Sequence, residues 1–243
     1  MKQNDIYEII DMCRIIARKG TSWFHSSVEI PELVLDFRPS SYAFLGKGNP
    51  AIFVNSKTFQ LTVDTRAQEL KEGHSGPQWV ENRTLVLSED IVAPKNSFGS
   101  MLIIGIIIHE TGHAYNLAAG LKNTESNAYL FEIEILCHMH ENKMLYMQDN
   151  QLADYFTSRM PQYQSGLKTN PHLSKMISNI AIKFDLNIEL NYTNLLNIPN
   201  ISGNQLATNR GTFFGFNGES GANKPSEQSL EEKTASYNLI KTI

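Results

Sequence analysis

The stretch from Met101 to Gly120, MLIIGIIIHETGHAYNLAAG, constrains this chain more than any other, because an apolar helix there carries the pattern HExxH. His109 and His113 are four positions apart, and an α-helix has about 3.6 residues per turn. Side chains at this spacing lie one above the other on the same helix face, so both imidazoles can reach one cation. Three isoleucines precede His109 and predict a buried helix, in which the polar groups need a partner.

Glu110, between the two histidines, completes a candidate catalytic metal site. Zinc is bound by nitrogen, sulfur and carboxylate ligands, and a catalytic zinc has three protein ligands and one position for water. The metal lowers the pKa of that water toward ~7, and a nearby carboxylate can accept its proton and return a proton to the leaving group. The sequence therefore predicts that His109 and His113 bind Zn²⁺ and that Glu110 is the general base.

These residues resemble the HExxH metallopeptidases, the zincins, over about residues 83–146. The resemblance implies an α+β, zincin-like fold with a small N-terminal mixed sheet packed on the HExxH helix, followed by a mainly helical C-terminal lobe. It also implies hydrolysis of peptide bonds in a protein or peptide substrate. The pattern HExxHxxGxxH is absent, so the chain does not resemble the metzincins.

The third zinc ligand is expected on a second helix, which Thr124 can cap and which runs through ESNAYLFEIEILCHMHENKMLY. Glu125 and Glu132 share one face of this helix, whereas Glu134 is turned away. The neighbourhood of Glu125, ExxAY, resembles the ExxA pattern of several zincin families, in which the Glu is the ligand and the Ala lets the helices approach. Its separation of twelve positions from His113 is closer to the aspzincins than to the thermolysin-like families.

Glu132 is the alternative third ligand. With a rise of ~1.5 Å per residue and a short connection, an antiparallel second helix brings Glu132 level with His109 and His113. Its separation of nineteen positions from His113 is similar to the aminopeptidase-like gluzincins. We expect Glu125 to be the ligand, and we expect whichever carboxylate is unused to orient an imidazole.

Upstream of the motif helix, short runs of β-branched and aromatic residues separated by turn residues predict a small sheet. In zincins the strand before the active helix commonly lies at the sheet edge, where an extended substrate adds through main-chain hydrogen bonds. We expect Arg83 to Ser88 to be that edge, and an interior strand that only leads into the helix is the open alternative. The strand candidates are Val28 to Phe37, Ala51 to Val54, Phe59 to Val63 and Thr84 to Leu87.

Helices are predicted at the N-terminus, at the motif and after it. Asn4 or Asp5 can cap the first helix, Gly20 can end it, and the motif helix should begin near Phe98. Two later helices are predicted from Gln151 to Met160 and from His172 to Phe184, with Pro161 and Pro171 as boundaries.

Two glycines inside the motif helix, Gly105 and Gly112, each cost about 1 kcal/mol relative to Ala. We expect a neighbouring element to approach closely at both positions. Zincins often take a downstream Tyr or His to stabilise the oxyanion, and the candidates here are Tyr155, Tyr163, Tyr192 and Tyr237. Four of the five remaining histidines are interpreted as loop, surface or packing residues: His25, His74, His138 and His140.

Composition limits the partners. The 243 residues, 41% of them hydrophobic, predict one domain over 1–243, with a sheet lobe and active-site helix over about 1–120 and a helical lobe over about 121–243. A net charge of −4 and the absence of any Lys/Arg run argue against nucleic acid as a partner. The two cysteines do not indicate a disulfide scaffold. The longest apolar run is far below the ~20 residues of a membrane span.

The N-terminal segment has acidic residues among its apolar ones and lacks the continuous apolar core of a signal peptide. We therefore expect the protein in the cytoplasm, or secreted without a cleavable signal. A small zincin of this kind resembles bacterial effector or toxin proteases that act on one protein substrate, such as a host protein. The alternatives are an intracellular regulatory or housekeeping protease and a non-catalytic, zinc-stabilised binding module.

Overall fold

The computed structural model describes residues 1–21, 28–40, 42, 45, 50–60, 79–92, 99–145, 147–167 and 170–186. These residues form an α+β fold with one small mixed sheet and a majority of helices. No helix in this part of the chain is both long and apolar enough to cross a membrane. In chain order the elements are α1 (Gln3–Lys19), β1 (Val34–Arg38), β2 (Ala51–Val54), β3 (Thr84–Ser88), α2 (Ser100–Ala118), α3 (Glu125–Glu141), α4 (Asp149–Gly166) and α5 (Pro171–Lys183).

The sheet has the order β1-β3-β2, with β1 parallel and β2 antiparallel to β3. The expectation that residues 83–88 form an edge strand is wrong, because β3 pairs on both sides. All five residues of β3 are buried, as expected for a strand covered on both faces. Within the described residues, β2 is an edge strand, and it is the strand that lies against α2.

Two of the other strand predictions differ from the structure. The segment predicted as a strand from Val28 to Phe37 forms a strand only from Val34 to Arg38. The segment predicted from Phe59 begins inside a helical turn over residues 56–60, because the side chain of Asn55 accepts a hydrogen bond from the Thr58 N–H and starts that turn. Residues 61–63 lie outside the described part. Three strands are therefore described instead of four.

Helix α1 buries the apolar face that its sequence predicts, including Ile6, Ile10 and Ile16. Each isoleucine buried in this way contributes about 1.5–3 kcal/mol relative to an exposed one. The helix begins at Gln3, slightly before the predicted caps, and the Asp5 carboxylate instead accepts a hydrogen bond from the Lys2 N–H at 2.6 Å. It ends as predicted at Gly20, where φ is 75°.

Helices α2 and α3 form an antiparallel pair, and both glycines of α2 lie where a neighbour approaches. A Cβ placed on Gly112 would be 3.1 Å from the Phe131 Cβ and 3.3 Å from the Ala128 Cα. A Cβ on Gly105 would be only 1.8 Å from the Tyr155 hydroxyl oxygen. The predicted close approaches are confirmed, and in both cases the neighbour is a helix.

Helix boundaries near the motif agree with the sequence in part. Thr124 caps α3 as predicted, since its hydroxyl accepts a hydrogen bond from the Asn127 N–H at 3.3 Å. Helix α2 begins at Ser100, two residues after the predicted start. Pro171 begins α5, but Pro161 lies inside α4 and is not a boundary. Proline has no backbone N–H, so the helix loses one internal hydrogen bond at Pro161. Pro161 is exposed, and the helix continues for another turn beyond it.

Candidate metal centre

The motif residues of α2 are buried and face two other elements. His109, Glu110 and His113 are each less than 9% exposed. The histidines point toward the loop before α3 and its first turns, while Glu110 points toward β2. The helical spacing in the sequence thus places three polar side chains in the interior, where each needs a partner.

His109, His113 and Glu125 offer ligand atoms that all lie within 4.8 Å of one another. Nε2 of His109 is 3.1 Å from Oε2 of Glu125, and Nε2 of His113 is 3.5 Å from Oε1 of the same carboxylate. Tetrahedral zinc with ligands at about 2.0–2.1 Å places those ligand atoms roughly 3.3–3.4 Å apart. Two imidazoles and a carboxylate at this spacing can hold a metal ion.

The second nitrogen of each imidazole has its own acceptor. Nδ1 of His109 donates to Oε2 of Glu132 at 3.0 Å, and Nδ1 of His113 donates to Oδ1 of Asn123 at 2.7 Å. A neutral imidazole with its proton on Nδ1 can offer the Nε2 lone pair to a metal, and both Nε2 atoms point toward Glu125. Partners of this kind fix the tautomer and the ring orientation of metal-binding histidines. The donor set therefore fits a metal.

Glu132, the alternative ligand, lies on the opposite side of the His109 ring from the cluster. Its carboxylate is 0% exposed and also accepts hydrogen bonds from Tyr155, Tyr163 and Arg159. Burial acts to raise the pKa of this carboxyl, but the Arg159 charge and the His109 hydrogen bond hold it at about 2. Glu132 is thus an ionised group that orients His109, at a distance from the position where Glu125 meets both histidines.

Glu110 is held by the sheet. Its Oε2 accepts a hydrogen bond from the Phe53 N–H of β2 at 2.7 Å. Burial raises the pKa of Glu110 above its ordinary value, although the nearby histidines and the Phe53 N–H act against the rise. One carboxylate oxygen is therefore bound to the strand, and the other is left for a proton-transfer partner.

His109 and the carboxylates around it shift one another's pKa values. Burial acts to lower the pKa of His109, yet hydrogen bonds to Glu125 and Glu132 raise it to about 9 in the metal-free protein. The hydrogen bond from His109 is also the main reason that the pKa of Glu125 is lowered. The Glu125 side chain is 65% exposed, so the cluster reaches solvent at this carboxylate within the described part of the chain.

The tyrosines have roles other than the predicted one where they are described. Tyr155 and Tyr163 donate to Glu132 at 2.6 and 2.5 Å, so their hydroxyls are bound away from the three ligand atoms. Tyr129 packs on the His109 ring with centroids 4.7 Å apart, and burial raises the pKa of its hydroxyl to about 12. Tyr192 and Tyr237 lie outside the described residues.

The other described histidines are not part of the cluster. His140 lies near the C-terminal end of α3, and its Nε2 is 2.8 Å from Oδ1 of Asp149. His138 is partly buried on the same turn. Both agree with the predicted packing and surface roles, while His25 and His74 lie outside the described residues.

Three groups around the site were missed in the sequence: Asn123, the Phe53 N–H and Arg159. Asn123 stands directly before the predicted cap Thr124, which is a local signal for a turn residue near the end of α2. Tyr155, Arg159 and Tyr163 recur every four positions and so share one face of α4, a pattern that indicates a polar contact along a buried stripe. The Phe53 amide has no sequence signal.

Comparison with protein-family models, with curated proteins and with solved structures finds no match for this chain. The chemistry of the site therefore has to follow from its own geometry.

Proposed function

We propose that this protein is a zinc-dependent metallopeptidase of the zincin type, with His109, His113 and Glu125 as ligands. One observation carries the proposal: two imidazole Nε2 atoms and a carboxylate converge at metal-binding distances, and the residue between the histidines is a buried glutamate. A zinc ion there would supply a Lewis acid that polarises the substrate carbonyl and lowers the pKa of the attacking water toward ~7.

Glu110 moves the protons in the proposed reaction. Its free carboxylate oxygen accepts the proton of the attacking water as the new C–O bond forms. The same carboxyl then donates a proton to the amine nitrogen as the C–N bond of the peptide breaks. The Phe53 N–H holds the other oxygen, so Glu110 keeps one orientation through both steps.

The outer edge of β2 faces Glu110. The carbonyls of Pro50 and Val54 accept hydrogen bonds from Ser88 and Asn82, so the even-numbered residues of β2 face β3. The odd-numbered residues face outward, because bonding direction alternates along a strand. The Phe53 N–H on this edge binds Glu110, whereas Ala51 is fully buried and its backbone is not open to a substrate strand.

A protein or peptide substrate is proposed because a metal-activated water with a carboxylate base is suited to hydrolysis of a peptide bond. Two biological settings fit the proposal: an effector or toxin protease that acts on a host protein, and a protease that acts inside its own cell. Identification of new N-termini in proteomes of both origins separates these settings.

Zinc content tests the metal centre itself. We expect the purified wild-type chain to hold about one zinc per molecule and the His109→Ala/His113→Ala variant to hold none, because two of three ligands are removed. Elemental analysis after gel filtration measures this, with His172→Ala as the control for an unrelated histidine. Full zinc retention by the double variant would place the metal elsewhere and reject the proposal.

A further inference from the structure

Glu132 is the meeting point of three side chains from α4. Oε1 of Glu132 accepts hydrogen bonds from the hydroxyls of Tyr155 at 2.6 Å and Tyr163 at 2.5 Å. Oε2 accepts from His109 Nδ1 at 3.0 Å and from a terminal guanidinium nitrogen of Arg159 at 3.3 Å. Both oxygens of one carboxylate are thus held from α4, and one of them in turn holds the imidazole of a candidate ligand.

We propose that Tyr155, Tyr163 and Arg159 are positioning residues of the metal centre: they fix Glu132 so that it holds His109 with Nε2 toward the metal. The inference rests on the metal site of the proposed function and assigns α4 a part in it. The elements that carry the ligands are α2 and α3, so the tyrosine hydroxyls of α4 reach the ligand His109 through Glu132.

The arrangement is costly as a purely structural device. Taking a carboxylate and a guanidinium out of water costs several kcal/mol per ion, and well-packed apolar residues often stabilise a core as well or better. Glu132 is 0% exposed, and its ion pair with Arg159 is largely shielded from solvent. A role in orienting His109 accounts for the ionic group at this position, whereas stability alone does not.

The packing around the network also favours a defined geometry. Gly105 of α2 lies beside the Tyr155 hydroxyl, and any side chain there would occupy its place, since a Cβ would be 1.8 Å from the oxygen. The Tyr129 ring lies between His109 and Tyr163, with centroid distances of 4.7 and 5.3 Å. The tyrosine hydroxyls are therefore held in place by packing as well as by their bonds to Glu132.

Metal binding and the docking of α4 should then be thermodynamically coupled. A change that loosens Glu132 lowers metal affinity, and by linkage the bound metal must strengthen the contacts of α4. Loss of a hydrogen-bonding partner behind a metal-binding histidine typically lowers affinity by about 10–100-fold.

The test compares two variants that both alter α4. Tyr155→Phe/Tyr163→Phe removes only the two hydroxyls that bind Glu132, and Leu152→Ala removes a fully buried apolar side chain of the same helix. Zinc affinity is measured by competition with a chelating dye, without any substrate, and thermal unfolding is measured on the metal-free proteins. We expect the tyrosine variant to lose about 10–100-fold in zinc affinity. We expect Leu152→Ala to keep its affinity within about threefold although it unfolds at a lower temperature.

Hydrogen exchange gives a second readout. Zinc should slow amide exchange in α4 of the wild-type chain and of Leu152→Ala, and it should do so much less in the tyrosine variant. If the double variant does not fold, Tyr163→Phe alone replaces it, with a smaller expected loss of affinity. Wild-type zinc affinity in the folded tyrosine variant would overturn the inference, as would losses in both variants that follow their stability.

The outcome is distinct from that of the proposed function. If the zinc affinities of wild type and variants are as predicted but the wild type cleaves no protein, the peptidase proposal is rejected and the positioning role stands. If the wild type shows zinc-dependent cleavage but the tyrosine variant has wild-type zinc affinity, only the positioning role is rejected. A wild-type chain that binds no zinc rejects both.

Discussion

Glu125 and Glu132 lie seven positions apart on one face of α3, yet their surroundings give them different chemistry. Glu125 is at the first turn, largely exposed, and faces the Nε2 atoms of both histidines. Glu132 is two turns further into the core and faces Nδ1 of His109 and the cation Arg159. A metal bound to the two Nε2 atoms can reach the carboxylate of Glu125. The His109 ring stands between such a metal and the carboxylate of Glu132.

Zinc release by the two carboxylate variants tests this assignment. We expect Glu125→Ala to lose zinc to a mild chelator as readily as His113→Ala, because a ligand is removed in each case. Glu132→Gln, which keeps the shape of the side chain, should retain zinc with an affinity lowered by about 10–100-fold. Dialysis against the chelator followed by elemental analysis measures both. The reverse order of zinc loss would make Glu132 the ligand.

The Phe53 N–H can be tested without changing any side chain. Replacement of residue 53 by the corresponding α-hydroxy acid gives a backbone ester, which lacks the N–H that binds Glu110. A hydrogen bond to a charged group contributes about 1.5–3 kcal/mol, so we expect kcat to fall by roughly 10–100-fold with zinc content unchanged. Steady-state kinetics on a cleaved substrate measures this.

The matched control is the same ester at residue 51, which removes another N–H of β2, two positions before the one that binds Glu110. That variant should leave kcat near the wild-type value. An ester at residue 53 that behaves like wild type would mean that the sheet does not position the base.

Local geometry explains why the motif residues could be predicted and their partners could not. The spacing of His109, Glu110 and His113 fixes their common location once the segment is a helix, and this needs no tertiary information. The choice between Glu125 and Glu132 depends on where α3 starts relative to α2, which the sequence left open. Arg159 contacts Glu132 only because α4 docks beside α3, and no local rule predicts that docking.

At the level of elements, the two glycines of α2 predicted the helix packing correctly, whereas Pro161 predicted a helix end that the structure does not have. The cost of glycine in a helix predicted the close approaches at Gly105 and Gly112, because crowding is the usual compensation. Pro161 predicted a helix end, but α4 continues through it and carries Tyr163 to Glu132. Proline removes one backbone hydrogen bond of the helix without ending it.

The pairing of β3 was open in the sequence, and its composition held the better signal. The run TLVLS has no strict alternation of polar and apolar residues, which is typical of a strand buried on both faces. Position before the motif helix, by contrast, says nothing about which neighbours a strand acquires. Among the described strands, β2 lies at the edge of the sheet next to α2, and its pairing partner is distant in the sequence.

Glu134 on α3 makes the stability of this helix depend on pH. It is buried beside Thr21, the residue after Gly20 at the end of α1, and its Oε2 has no hydrogen-bond partner among the described residues. Burial raises the pKa of Glu134 from 4.5 to about 7; the Thr21 hydrogen bond and Lys183 act against the rise, and Glu141 adds to it. The folded state therefore keeps this proton to a higher pH than the unfolded state does.

The sign follows directly from proton binding. Between about pH 4.5 and about pH 7 the folded chain binds more protons at Glu134, so its free energy of unfolding falls as pH rises and levels off above that window. We expect Glu134→Gln to remove this fall and to be more stable than wild type at pH 8, by on the order of 2–3 kcal/mol. Denaturant unfolding from pH 5 to 8 measures it, with the exposed Glu32→Gln as control. Parallel curves for wild type and Glu134→Gln would contradict the assignment.

At the level of the whole molecule, one apolar core connects α1, the sheet and all four later helices of the described chain. The candidate metal centre lies where three elements meet: the middle of α2, the first turn of α3 and the edge strand β2. Helix α4 contacts the same face of α3 through Glu132, two turns beyond Glu125. The α+β class that the resemblance implied agrees with the strands predicted before the motif and the helices predicted after it, and the mutual packing of the elements depends on long-range contacts.

In the proposed hydrolysis of a peptide bond, α2 carries two of the three metal ligands and the base, and Glu110→Gln tests this proposal most directly. Wild-type protein and the variant are each analysed for zinc and incubated with a protein mixture, in which new N-termini are labelled and counted. We predict about one zinc in both proteins, new N-termini with the wild type, and a rate lower by about 10²–10⁴-fold with the variant. Equal cleavage by the two proteins, or no cleavage by a zinc-loaded wild type, would contradict the account.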